Sequence, residues 1–264
     1  MRENRVKRAL AGGELQVGTA FFEFHTAGAP RIAAAAGAQF VFLDTEHTGW
    51  SMDVIRVLIT ASLTAGVVPL VRPAGTVYHL ISQPLDLGAM GLVLPMVESR
   101  EQAERIVSWA KYPPQGSRGA AFGIAHDDYR GGDVGLKMAS ANREVLLAAQ
   151  IETAAGLEHA EEIAAAPGID VLWVGQFDLT SSLGIPGQFD DPTYLHALDL
   201  VAEAARKHRK AAGFMVTSER EAALVLSKGF TAIAYSGDLW IYQQALQAGI
   251  SGVRALAEKA SPDR

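Results

Sequence analysis

Short apolar runs alternate with amphipathic stretches along nearly the whole chain, and this alternation limits the fold more than any other feature. Eight runs read as strands: residues 15–22, 39–43, 67–71, 91–97, 146–151, 171–177, 211–216 and 230–235. Between them, residues 51–64, 99–110, 155–165, 192–210 and 218–227 carry the periodicity of helices with one apolar face. Nearly continuous apolar strands joined by helices imply a parallel sheet covered by its crossovers. Eight such units in 264 residues fit a (β/α)8 TIM barrel, which takes about 250 residues as one domain. A doubly wound open sheet is the alternative. The chain is read as one barrel domain over residues 1–264.

Two strands carry a conflict. Pro69 and Pro95 fall inside runs assigned to a closed sheet, where a missing N–H is costly. After Ala110 the segment KYPPQGSRGAAFGIAHDDYRGGDVG has no clear period, and a loop of that length in a compact domain is usually functional or disordered. Within it, Gly116-Ser117-Arg118-Gly119 offers a weak cradle for a phosphate or carboxylate. Residues 238–260 form a C-terminal helix bearing Trp240, Ile241, Tyr242, Leu246 and Ile250, an apolar load that points to an oligomer contact or to packing on its own barrel.

In such a barrel the site is built where the strands end. The second run ends in Asp44-Thr45-Glu46-His47, the third in Arg72-Pro73, the fifth in Glu152-Thr153 and the sixth in Asp178-Leu179-Thr180. Glu152 and Asp178 close neighbouring runs that are almost free of charge. Two carboxylates that close repel unless a cation lies between them, and oxygen ligands favour a hard ion such as Mg2+ or Mn2+. Each could instead cap a helix or pair with an arginine; Asp178 before LTSSLG reads as an N-cap. Arg72 is a forked donor suited to an enolate or carboxylate oxygen, or a structural partner of Asp44 or Glu46. His47 could serve as a general base if Asp86 or Glu46 orients it.

Composition removes other chemistries. With no cysteine, thiolate zinc sites, disulfides and a Cys nucleophile are excluded, and a reducing cytoplasm is the expected setting. A net charge of −6 argues against nucleic acid as the partner. The N-terminal MRENRVKRAL lacks a signal peptide's apolar stretch, and the longest uncharged run, residues 57–71, is too short to span a bilayer. None of the seven lysines ends an apolar run, so imine chemistry is disfavoured.

The segments FVFLDTEHTGW, VPLVRP, DLGAMGLVLPMVES, KYPPQGSRG, QIET and VGQFDLTSSLGIPG resemble, in order and spacing, the HpcH/HpaI aldolase family, class II metal-dependent pyruvate aldolases acting on 4-hydroxy-2-oxo acids. The resemblance implies a TIM barrel assembled as a hexamer, a trimer of dimers that exchange their last helices. It implies Glu152 and Asp178 as ligands of a divalent metal (Mg2+, Mn2+ or Co2+, with Zn2+ possible). It further implies Arg72 on the keto oxygen, His47 with Asp86 as a base pair, Gln150 beside the metal, and amides around Phe177 and Asp178 on the pyruvate carboxylate. The reaction implied is reversible aldol addition of pyruvate, or of a close 2-oxo acid such as hydroxypyruvate, to an aldehyde through an enolate. A malyl- or citramalyl-CoA lyase and a non-catalytic oxo-acid-binding barrel are the other readings. The chain departs from the family's G-P-A-D-L-S stretch at Gln176 and Phe177 and carries Ala74-Gly75 where many members have a Trp, which bears on the aldehyde rather than on the metal.

Overall fold

A computed structural model describes residues 1–260. The strands are β1 (Gln16–Phe21), β2 (Phe40–Asp44), β3 (Val68–Arg72), β4 (Gly91–Leu94), β5 (Leu146–Ile151), β6 (Val171–Val174), β7 (Ala211–Val216) and β8 (Ala232–Gly237). They pair in parallel, each with its sequence neighbours, and β8 closes on β1. The helices are α1 (Arg5–Ala11), α2 (Ala29–Ala35), α3 (Met52–Ala65), α4 (Tyr78–Asp86), α5 (Arg100–Ala110), α6 (Val134–Glu144), α7 (Ala154–Glu158), α8 (Ala160–Ala165), α9 (Gln176–Ser182), α10 (Pro192–Lys207), α11 (Glu219–Ser227) and α12 (Asp238–Ala260). The structure is the (β/α)8 barrel that the alternation predicts.

Local chemistry sets the boundaries. Ser99 caps α5 by accepting the Gln102 N–H at 3.2 Å, and Asp191 caps α10 by accepting the Thr193 N–H at 2.7 Å, with Pro192 in the first turn. Gly66 ends α3 in the left-handed region at φ 80°, where a side chain would be strained. Pro69 sits in β3 because its missing N–H faces β4 below the level at which β4 begins; its carbonyl still accepts the Met90 N–H at 2.9 Å. Pro95 lies just past the end of β4.

Three expectations change. The apparently aperiodic stretch after Ala110 ends in the cap and first two residues of α6, a helix that the Gly-rich flank around its Asp133 cap obscures. Residues 155–165 form two short helices that share His159 at their junction. The sixth strand stops at Val174; Phe177 belongs to α9, which Gly175 caps, so Asp178 stands in the first turn rather than at the N-cap.

The core has two compartments. Strand residues facing outward, such as Leu43, Leu92 and Ile151, pack with the helices' Leu58, Ile106 and Val201. Inside the barrel, Phe40, Phe42, Leu70, Val93 and Trp173 fill the space, with Trp173 5.7 Å from the Phe42 ring. Small residues opposite make room for them: a Cβ on Gly213 would overlap the Trp173 ring. Helix α1 closes the end at which the strands begin, adding Val6 and Leu10 to the interior. It is latched by Asn4, whose backbone N–H donates to Glu144 at 2.7 Å and whose side chain donates to the Met90 carbonyl at 2.8 Å.

Overpacking the interior costs about 1–3 kcal/mol. Gly213→Ala should lower the melting temperature accordingly, and a smaller residue at Trp173 should recover part of the loss. Burial alone would raise the Glu144 pKa, but the Asn4 N–H and the Arg8 guanidinium override it and hold the pKa below its ordinary 4.5. The latch is therefore fully present above that value and is lost as pH falls below it and through the lowered folded-state pKa. Glu144→Gln should destabilise at pH 7 and lose its effect in acid, as pH-resolved melting curves will report.

Candidate active site

The strands' C-terminal ends open on a cavity of about 380 Å³ lined by His47, Arg72, Gln150, Phe177 and Asp178, together with Phe22, Glu23, Met215, Leu239 and Trp240. Arg72, the last residue of β3, is only 8% exposed. Its Nε donates to Asp44 Oδ1 at 2.6 Å and lies 3.2 Å from Glu46 Oε2, while the guanidinium stands over the Phe42 ring at 5.2 Å. One edge of the fork is thus fixed, while its terminal nitrogens make no hydrogen bond among the described residues and Arg72 lines the cavity. Both sequence readings of Arg72 hold together: it pairs with Asp44 and Glu46, and it lines the pocket.

Asp44 does more than pair. Fully buried at the end of β2, it also accepts the backbone N–H groups of Glu46 at 3.2 Å and His47 at 2.9 Å, which fixes the turn presenting His47. Thr45 locks the same turn by donating through its hydroxyl to the Arg72 carbonyl at 2.7 Å. The carboxylate within ion-pair range of the His47 ring is Glu46, 3.8 Å from Nε2.

Glu152 follows β5 and is 2% exposed. Its Oε1 accepts the Met96 N–H at 2.6 Å, and its Oε2 accepts from the Gln150 amide. Met96 reaches that position only with φ at 53°, a strained conformation that the site uses to aim one donor. Gly175 makes the opposite accommodation, since a Cβ there would overlap Glu152 and crowd Gln150. Burial, followed by the charges of Glu46 and Asp178, pushes the Glu152 pKa up to about 7 despite those two hydrogen bonds. Burial likewise raises Glu46, against the pull of Arg72. The Gln150 Oε1 atom is buried without a partner.

Asp86 lies elsewhere. Helix α4 runs from the end of β3 back to the start of β4, so its last residue sits at the opposite end of the barrel from His47. There Asp86 pairs with Arg118, a side chain 3% exposed that stacks 4.7 Å over the Tyr112 ring. A His47–Asp86 pair therefore does not form within one chain, because the topology puts the two at opposite barrel ends. The Gly116–Gly119 cradle is also corrected. All four N–H groups are spent internally, on Tyr112, Ser108 and Lys111 carbonyls and on the Tyr78 hydroxyl, leaving none for an anion.

Asp238 belongs to none of the motifs above. It follows β8 directly, is 6% exposed, and accepts the N–H groups of Phe22 at 3.0 Å, Glu23 at 3.1 Å and Phe24 at 2.5 Å. The loop after β1 is thereby pinned to the first turn of α12, and rings reinforce the join, Phe22 with Trp240 at 5.0 Å and Phe24 with Tyr242 at 5.6 Å. A carboxylate directly after the last apolar run was the available signal.

Comparison with known proteins adds the following. The model of the HpcH/HpaI aldolase/citrate lyase family matches residues 20–245. A 2-keto-3-deoxy-L-rhamnonate aldolase of Klebsiella pneumoniae is 35% identical over 92% of this chain and 90% of its own. The crystal structure of an HpcH/HpaI aldolase from Desulfitobacterium hafniense superposes with a TM-score of 0.90 at 29% identity, covering 94% of this chain and 96% of that one. That of the citrate synthase SbnG superposes at 0.86 with 26% identity, covering 96% and 98%.

Removing an acceptor that leaves backbone donors unsatisfied costs about 1–3 kcal/mol. Asp238→Ala should lose stability in that range and speed amide exchange at Phe22–Phe24, measured by denaturant titration and hydrogen exchange.

Proposed function

The chain belongs to the HpcH/HpaI aldolase/citrate lyase family and is a lyase of the aldolase type; from that premise we propose that it reversibly joins pyruvate, or a close 2-oxo acid such as hydroxypyruvate, to an aldehyde. The observation carrying this reading is one cavity in which a half-anchored guanidinium, a histidine and a carboxylate face one another above a buried second carboxylate. The sugar acid named for the curated relatives is the first substrate to assay.

The donor set suits a divalent cation. Glu152 and Asp178 would be its protein ligands, with remaining positions open to water and substrate; among the described residues no third His, Cys, Asp or Glu joins them. Oxygen ligands suit Mg2+ or Mn2+, and the family resemblance adds Co2+ and Zn2+ as ions to test. The fit rests on two features: the unpartnered Gln150 Oε1, and the excess of negative charge around the buried Glu152, with the half-buried Glu46 and the exposed Asp178 close enough to raise its pKa. When bound, the cation supplies Lewis-acid polarisation of the keto group.

The chain's own groups divide the remaining work. Arg72, steadied through Nε, donates its terminal N–H groups to the donor's keto oxygen as negative charge gathers there. First-turn N–H groups around Phe177 and Asp178 have no intrahelical acceptor and donate to the donor's carboxylate. Gln150 borders the same oxygens. His47 moves the proton between the donor's methyl carbon and the aldehyde oxygen, through a water. If Asp86 is to orient His47, it must come from a second copy.

Assembly is part of this reading. Helix α12, about 34 Å long, buries only Asp238 within its own chain and leaves Tyr242, Leu246, Ile250, Val253 and Leu256 exposed. Beside its root lies an apolar cavity of about 660 Å³, lined by Phe24, Ile32, Ile241 and Tyr242 among others. Exchange of this helix between subunits of a hexamer would cover both surfaces.

Arg72→Ala should lower turnover about 10²–10³-fold, or about 3 kcal/mol, and should also lower the melting temperature, since it leaves the buried Asp44 without its cation, while circular dichroism at the assay temperature keeps the signal of the folded barrel. Steady-state aldol cleavage checks this; a variant keeping more than a tenth of the rate contradicts the role. Deleting residues 249–264 should reduce the mass measured by light scattering to that of a smaller assembly.

A further inference from the structure

The cavity has two unlike walls. One carries the groups assigned above to the 2-oxo acid, supplied by the ends of β3 and β5 and by α9. The other is formed by the loop after β1 and the start of α12, which presents Phe22, Glu23, Leu239 and Trp240. In a closed ring of eight strands in sequence order, β1 lies diametrically across the mouth from β5. An aldehyde that meets the donor's methyl carbon must extend toward this second wall.

Among the described residues that line the cavity from that wall, Glu23 alone carries a charge. Its backbone is fully employed, with the N–H on Asp238 and the carbonyl on the His25 ring at 3.2 Å, yet its carboxylate enters no ion pair or hydrogen bond among the described residues. The wall is also held in place. Asp238 binds three successive N–H groups, and Phe22 rests against Trp240, so the loop cannot carry Glu23 out of the cavity without breaking both.

Resting on the aldolase reading, we propose that Glu23 selects the acceptor, favouring an uncharged hydroxyaldehyde and excluding aldehydes that carry a distal carboxylate. A hydroxyl donates to the open Glu23 oxygens, a charge-assisted bond of the stronger kind. The aldehyde's carbon chain packs on Phe22, Leu239 and Trp240. A distal carboxylate faces a like charge in a partly enclosed space with no cation on that wall to offset it. A tenfold discrimination corresponds to about 1.4 kcal/mol, within reach of one like-charge contact in such surroundings.

The test measures kcat/KM for addition of pyruvate to lactaldehyde and to succinate semialdehyde, with Mn2+ present. In parallel, exchange of the pyruvate methyl protons with deuterated water is followed by NMR without any aldehyde. The unmodified protein should prefer lactaldehyde at least about tenfold. Glu23→Gln should bring the two within about threefold of each other, and Glu23→Lys should reverse the order, while proton exchange stays unchanged in both variants. Equal use of the two aldehydes by the unmodified protein, or an unaltered ratio in Glu23→Gln, overturns the assignment while the aldolase reading stands. Absence of proton exchange in the unmodified protein overturns the aldolase reading, and this assignment with it.

Discussion

Glu152 is a carboxylate buried at the mouth of a barrel within the field of two more, and the arrangement of the site follows from the need to hold it there. Two donors, one from a strained Met96 backbone and one from Gln150, are aimed at it, and Gly175 has no side chain so that it fits. Even so, its proton is held up to about pH 7, the mark of a group still short of positive charge. Arg72 cannot supply that charge, because Asp44 and Glu46 engage its Nε edge. The same engagement points the rest of the guanidinium at the cavity. Charge left over in the protein and a fork left over on the arginine thus face the same space.

The barrel was legible from the sequence because each strand is a near-continuous apolar run and most of the following helices have their own period, although α2 and α4 do not stand out as periodic stretches. Runs 146–151 and 211–216 match β5 and β7 to the residue. The sixth run failed at its end, since Val-Gly-Gln-Phe is as apolar in a first helical turn as in a strand, and only the Gly175 cap separates the two. The lining of the cavity was legible where a charged residue ends a strand, as Asp44 and Arg72 do, or directly follows one, as Glu152 does. It was not legible for Asp86, which a motif places but only the path of α4 locates, at the far end of the barrel. Nor could spacing show that the amides of Gly116–Gly119 are consumed by their own loop. Asp238 was missed because its partners are backbone N–H groups more than 200 residues away, and sequence does not advertise those.

Family membership settles the class of chemistry and leaves the partners of the reaction to local residues. A chain named as a citrate synthase shares this fold over nearly its whole length, so the barrel alone does not choose the substrate. What differs between such proteins is the lining. Here one wall of the cavity is polar, with Arg72, Gln150 and Asp178; the other is aromatic with one unpaired carboxylate. That second wall is welded to the root of α12, which ties the shape of the acceptor side to whatever α12 docks against.

The central claim is that Glu152 and Asp178 together take up one divalent cation. Titration of metal-stripped protein with Mn2+, followed by the electron spin resonance of the free ion, tests it most directly. The account predicts one site per chain, lost in both Glu152→Gln and Asp178→Asn, and aldol cleavage that appears in step with its filling. Stripped protein that binds no stoichiometric Mn2+, or that cleaves its substrate at full rate without it, would contradict the account.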